Sequence, residues 1–189
     1  MSVVLSIDVG IIHFAYCLYN IKEQLILKWE CFSILSNEDK TKTKRKFFSL
    51  IKTLQDLLKA LKLRNDIFQQ ANVILIEKQP RCNVKMQKIS TAICTYFLLE
   101  CPNSKVKEYS SKHKLNKLED HDKIVCVEQL EKIAKIKSAY SRRKKLSILY
   151  CLHIIQSSSG NKEWVYYFNQ SSKKDDLADC FLQAKSFCV

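Results

Sequence analysis

The chain has 189 residues, 47% of them apolar, which suits one domain with a proper core and leaves little room for two. Its 32 Lys and Arg against 19 Asp and Glu leave a formal charge of +13; the expected partner is a polyanion, nucleic acid first, with a merely soluble basic protein as the plain alternative. Nine cysteines, at 17, 31, 82, 94, 101, 126, 151, 180 and 188, include no C-x-x-C pair, which argues against a four-ligand zinc site; their odd count argues against a fully paired disulfide framework and for reduced, small core residues in a reducing compartment.

Val3-Val4-Leu5-Ser6-Ile7 is a near-continuous apolar run ending in Asp8-Val9-Gly10, the pattern of a strand buried on both faces. Residues 13–19 and 25–34 read as two further strands. In the second, alternation puts Leu25, Leu27, Trp29 and Cys31 on one side, and the polar stretch Asn20–Gln24 is the hairpin turn. A basic loop follows, with Lys40, Lys42, Lys44, Arg45 and Lys46. Phe47, Leu50, Ile51, Leu54, Leu57, Leu58 and Leu61 then recur at helical spacing, with Phe48 off the main stripe. Val73–Ile76 is a second short apolar run that also ends in an acid, Glu77. Met86, Ile89, Ile93, Tyr96 and Phe97 mark another helix, and Lys105–Tyr109 a fifth strand. Helices are expected over Asp122–Lys135, Ser141–Gln156 and Asp175–Ser186, with 157–161 a loop. The order β-β-β-α-β-α-β followed by helices defines an α/β protein.

Asp8 and Glu77 each end an apolar strand, and in open α/β sheets sites gather at the carboxyl ends of strands. Parallel neighbours lie about 4.8 Å apart, so their terminal acids can share a site. In KKDDLAD, residues 173–179, Asp176 and Asp179 fall on one helical face, while Leu177, Phe181 and Ala184 fall on another that can hold the helix to the sheet. Four converging carboxylates repel unless cations neutralise them, and hard oxygen ligands suit Mg²⁺ or Mn²⁺. Two such ions about 4 Å apart can activate a water and stabilise the leaving oxygen of a phosphodiester. Each acid has a plainer reading. Asp8 before Gly10 can cap a turn, Glu77 can be a surface charge, and Asp175 and Asp176 can be first-turn acids favoured by the helix dipole. The combination is more specific than any member.

IDVG at 7–10, LIEKQP at 75–80 and KKDDLAD at 173–179 resemble the three signature segments of RuvC-type Holliday junction resolvases, above all the poxvirus branch, which is related to the yeast mitochondrial resolvases. The resemblance runs from residue 3 to about 185, and SRRKKLSI at 141–148 is similar to the family's basic segment before its penultimate helix. It implies a ribonuclease H-like fold with sheet order 3-2-1-4-5 and the second strand antiparallel. It also implies a metal-binding, catalytic tetrad of Asp8, Glu77, Asp176 and Asp179, and a homodimer that nicks two strands of a four-way DNA junction symmetrically. The sequence departs from the pattern after Asp8, where His13-Phe14-Ala15 replaces a second glycine, and over Ser110–Lys117, from which no catalytic lysine is carried over. The poxvirus likeness implies work on replicated genome concatemers in the cytoplasm of the infected cell, and possible presence in the virion.

Candidate phosphate contacts are Lys112, Lys114, Arg142, Arg143, Lys144, Lys145, Lys173 and Lys174, although a lone basic run is usually a solvated face. Lys173 and Lys174 either grip a scissile phosphate or balance the acids. His13 reads as a turn histidine, and His113, His121 and His153 show no ligand spacing. Leu146–Ile155 is apolar nearly all round, so it is either deeply buried or shared with a partner subunit. That stretch is too short to span a bilayer, and the N-terminus has no signal-peptide pattern. A soluble, intracellular protein is expected, with branched DNA as partner, no membrane and no small-molecule cofactor. Three rivals remain. An actin-like ATPase needs glycine-rich phosphate turns, whereas this chain has only Gly10 and Gly160. A ribonuclease H acting on hybrids carries its glutamate on the first helix. A non-catalytic DNA-binding protein has no use for four converging acids.

Overall fold

Burial on both faces explains the apolar run at the N-terminus, because it forms the middle strand of a five-stranded sheet. The computed structural model describes residues 3–35 and 49–187. In it β1 (Val3–Asp8) pairs antiparallel with β2 (Phe14–Asn20) and parallel with β4 (Val73–Glu77). β3 (Leu25–Phe32) extends the sheet beyond β2, and β5 (Lys105–Tyr109) lies parallel to β4. The order β3-β2-β1-β4-β5, with β2 antiparallel, is the one the family resemblance implies.

Helices cover both faces. On one side Leu5, Ile7, Ile74 and Ile76 form a core with Leu57 and Leu61 of α1 (Leu50–Lys62), Phe68 of α2 (Asn65–Phe68), and Ile89, Ile93 and Phe97 of α3 (Val84–Glu100). α4 (Val127–Ala134) follows β5 and buries none of its residues. On the other side Val4, Trp29 and Leu75 pack with Cys151 and Ile155 of α5 (Ala139–Ser157) and Phe168 of α6 (Lys162–Gln170). Leu177, Phe181 and Ala184 of α7 (Lys174–Phe187) join this core, as their spacing requires. Trp29 stacks on Phe168 at 5.3 Å and donates its indole N–H to the Leu177 carbonyl at 3.1 Å. That bond satisfies the one polar group of a fully buried ring and fixes α7 to the sheet. No described helix is long and apolar enough to cross a membrane.

Several expectations need correcting. The third strand ends at Phe32, and its alternation breaks. Leu18 faces Lys28 while Tyr19 faces Ile26, so Leu27 is the extra residue of a bulge. Ile26 is therefore 5% exposed and Leu27 41% exposed, reversing the expected facing of Leu27. In α1, Leu57 and Leu61 are buried, but Ile51 and Leu58 are 65% and 42% exposed, so the packed stripe is narrower than its apolar spacing suggests. Lys40–Lys46, Phe47 and Phe48 lie outside the described residues. The helix expected from Asp122 is instead a 3-10 turn, Asp120–Lys123, followed by non-helical residues 124–126 and then α4. The β-branched pair Ile124-Val125 disfavours helix, and the buried Asp122 carboxylate is held 3.5 Å from Lys185 Nζ, anchoring the turn. α2 and α6 are additions. α5 begins two residues earlier than expected, capped by Ser138, whose Oγ accepts from the Ser141 N–H at 3.3 Å. Leu146–Ile155 is neither deeply buried nor bare: Ser147, Cys151, Ile154 and Ile155 are buried and the rest are half-buried.

Candidate active site

Strand parity aims the two strand acids. Leu5 and Ile7 face the α1/α3 side, so Asp8 faces the opposite side with Val4. In β4, Ile74 and Ile76 face α1 and α3, so Glu77 shares the other side with Leu75. The register pairs Ile7 with Ile76, which brings Asp8 beside Glu77, and the two side chains are within hydrogen-bonding reach. The chain turns sharply after Asp8. A Cβ on Gly10 would lie 2.2 Å from the His13 carbonyl oxygen, so only glycine fits there.

α7 lies on this same face and presents Asp176 and Asp179 one turn apart. Asp175 points elsewhere. Its carboxylate accepts from Lys144 Nζ of α5, and this charged bond holds Asp175 below the usual carboxylate range despite its partial burial. The remaining acids shift the other way. Burial pushes Asp8 well above its ordinary value, and Glu77, Asp179 and Asp176 push it further. Burial and Asp175 push Asp176 up to about 6. Burial also raises Asp179, even though Lys114 Nζ sits 2.6 Å from its Oδ1 and Ser147 adds a hydrogen bond. Burial first, and mutual repulsion after it, thus disfavour full ionisation of the cluster, and it favours protons or cations.

The acids line a cleft of about 1040 Å³. Of the basic residues expected to meet phosphate, Lys112, Lys114, Arg143 and Lys144 line it, while Arg142, Lys145, Lys173 and Lys174 are not among its lining residues. Lys173 instead lines a separate cavity of about 310 Å³ beside His13 and Cys31. Lys123, Tyr140, Ser147 and Tyr150 also line the main cleft and were not foreseen. The last three have a legible signal, because with Arg143 they recur every three or four residues along α5 and so share one face. Two histidines also sit in unexpected company. Donor atoms of His13, Cys31 and Asp176 lie within 4.8 Å of one another, as do those of Glu119, His121 and Asp122.

No protein-family model matches the sequence, and no curated protein matches it either. Solved structures do match. The yeast mitochondrial Holliday junction resolvase superposes with a TM-score of 0.58 at 20% identity, covering 99% of this chain and 79% of that one. RuvC of T. thermophilus, in complex with a Holliday junction substrate, superposes with a TM-score of 0.56 at 14% identity, covering 98% and 92%. At such identities the likeness is one of fold. The chain has the ribonuclease H-like architecture of these resolvases, a five-stranded mixed sheet with helices on both faces.

Proposed function

We propose that the chain is a structure-selective endonuclease that resolves four-way DNA junctions by divalent-metal-dependent hydrolysis of phosphodiester bonds. The observation that carries this reading is the convergence of Asp8, Glu77, Asp176 and Asp179 in one cleft that Lys112, Lys123, Arg143 and Lys144 also line. An acidic cluster in a protein of charge +13 would repel DNA unless cations filled it, and basic walls beside it suit the phosphate backbone. The fold shared with two junction resolvases supports the same substrate.

The donor set fits Mg²⁺ or Mn²⁺. Four carboxylates offer hard oxygens, and burial together with their mutual repulsion, which raises Asp8, Asp176 and Asp179, is what a bound cation would relieve. Asp8, Glu77, Asp176 and Asp179 would hold a pair of ions. When bound, the ions would supply an activated water and charge stabilisation at the leaving oxygen. Lys112, Lys123 and Arg143 would bind the phosphates flanking the scissile bond. Lys114 holds Asp179 in place, Lys144 holds Asp175, and Ser147 helps fix the Asp179 carboxylate.

We read residues 1–189 as one nuclease domain. A four-way junction presents two equivalent strands, so symmetric nicking calls for a homodimer. The three sequence segments point to the poxvirus branch and to concatemer resolution in infected cells. The test is incubation with Mg²⁺ of a four-way junction, a matched linear duplex and an RNA–DNA hybrid. The proposal expects paired, symmetric nicks in the junction. Equal cutting of the duplex, or cutting of the hybrid alone, would reject it.

A further inference from the structure

His13, Cys31 and Asp176 reach one point from three separate elements: the turn after β1, strand β3 and the first turn of α7. Their donor atoms lie within 4.8 Å of one another. Tetrahedral coordination at ordinary zinc bond lengths sets nitrogen, oxygen and sulfur ligand atoms about 3.3–3.6 Å apart, so the three side chains need to close by no more than about 1.5 Å. His13 and Cys31, though not Asp176, also line the 310 Å³ cavity together with Lys173, and this cavity gives an ion an approach route to these two donors. One imidazole, one thiolate and one carboxylate supply two negative charges, and sulfur and nitrogen donors select Zn²⁺-class ions over Mg²⁺.

We propose that His13, Cys31 and Asp176 form a second metal site, selective for thiophilic transition ions such as Zn²⁺, which inhibits the carboxylate centre by sharing Asp176 with it. On binding, the metal–sulfur bond forms as the Cys31 thiol proton passes to solvent. The inhibitory part rests on the nuclease reading above; the binding part does not. A dication held by Asp176 takes up negative charge that the ions at Asp8, Glu77 and Asp179 need, and it repels them directly.

Co²⁺ is the probe, titrated into the full chain with the exposed Cys82 and Cys126 changed to Ser. One equivalent should give a thiolate-to-cobalt charge-transfer band. The band should vanish in Cys31→Ser, weaken about tenfold in affinity in His13→Asn, and survive in Glu77→Gln. Zn²⁺ should slow alkylation of Cys31 in the unaltered chain, where Mg²⁺ does not, so the result stands even if Cys31→Ser folds poorly. No band, an unchanged band in Cys31→Ser, or no protection by Zn²⁺ overturns the site. For the coupling, one equivalent of Zn²⁺ should raise the Mg²⁺ needed for half-maximal junction cleavage about tenfold, and this shift should be absent in Cys31→Ser. An equal shift in both proteins overturns the inhibitory role. A cobalt band at Cys31 in a protein that cuts no DNA would leave the site standing and remove the nuclease reading.

Discussion

Protons and metal ions should compete for the carboxylates, and the structure sets the range. Asp176 is pushed up to about 6 by burial and by Asp175. A carboxyl titrating there is about 0.97 ionised at about pH 7.5 and about 0.24 ionised at about pH 5.5, so apparent ion affinity falls about fourfold through this group alone. Asp8 and Asp179 are raised as well, so the full decline is steeper. The measurement is a Mn²⁺ titration of the DNA-free protein, following free ion by electron paramagnetic resonance, at the two pH values. Asp176→Asn should bind Mn²⁺ more weakly and lose part of the pH dependence. Affinity that is flat across this window, or a pH dependence untouched by the substitution, would refute the assignment of Asp176 as an ion ligand.

The same shift has a consequence for stability. A carboxyl raised in the folded state stabilises the fold below its unfolded value near 3.8 and loses that contribution as pH rises through about 6. In metal-free protein, Asp176→Asn should therefore raise Tm at about pH 7.5 by about 2–4 °C, if it relieves about 1 kcal/mol, and by less at about pH 5; thermal denaturation in chelator checks this. Reversing the charge of Lys112 and Arg143, which line the cleft, should weaken junction binding and flatten its salt dependence more than reversing Lys59 and Lys62 on α1. Equal losses in salt-dependent binding assays would mean a diffuse field rather than a contact surface. Arg64 makes a poor control, because its guanidinium pairs with Glu30 at 2.6 Å and lies over the Phe32 ring.

The centre of the fold was legible because its signals are local and redundant. Two apolar runs each stop at an acid, and a sheet buried on both faces leaves such runs no other place. Asp176 and Asp179 could be read because helix periodicity puts them one turn apart whatever the tertiary context. The bulge at Leu27 was not legible, since it depends on how β3 registers against β2, and no residue type marks it. α6 was missed although Trp164, Val165 and Phe168, at i, i+1 and i+4, share the helix face that packs on the core. The His13–Cys31–Asp176 group draws on residues far apart in sequence, and only the folded sheet brings them together. Asp175 was read as an ordinary first-turn acid; its bond to Lys144 shows that it also ties α7 to α5.

The most direct measurement takes Asp8→Asn, Glu77→Gln, Asp176→Asn and Asp179→Asn one at a time, with Asp175→Asn as the neighbouring control. Four-way junction affinity and Mg²⁺-supported cleavage are measured separately for each. If these acids form the nuclease centre, the four substitutions should each lower cleavage by about 10²-fold or more while affinity stays within about threefold, by the size of effect usual for removing a group that acts on the transition state. Asp175→Asn should lose less than about tenfold, because its carboxylate faces Lys144 rather than the cluster. Normal cleavage in two or more of the four, by proteins that still bind the junction, would contradict the assignment.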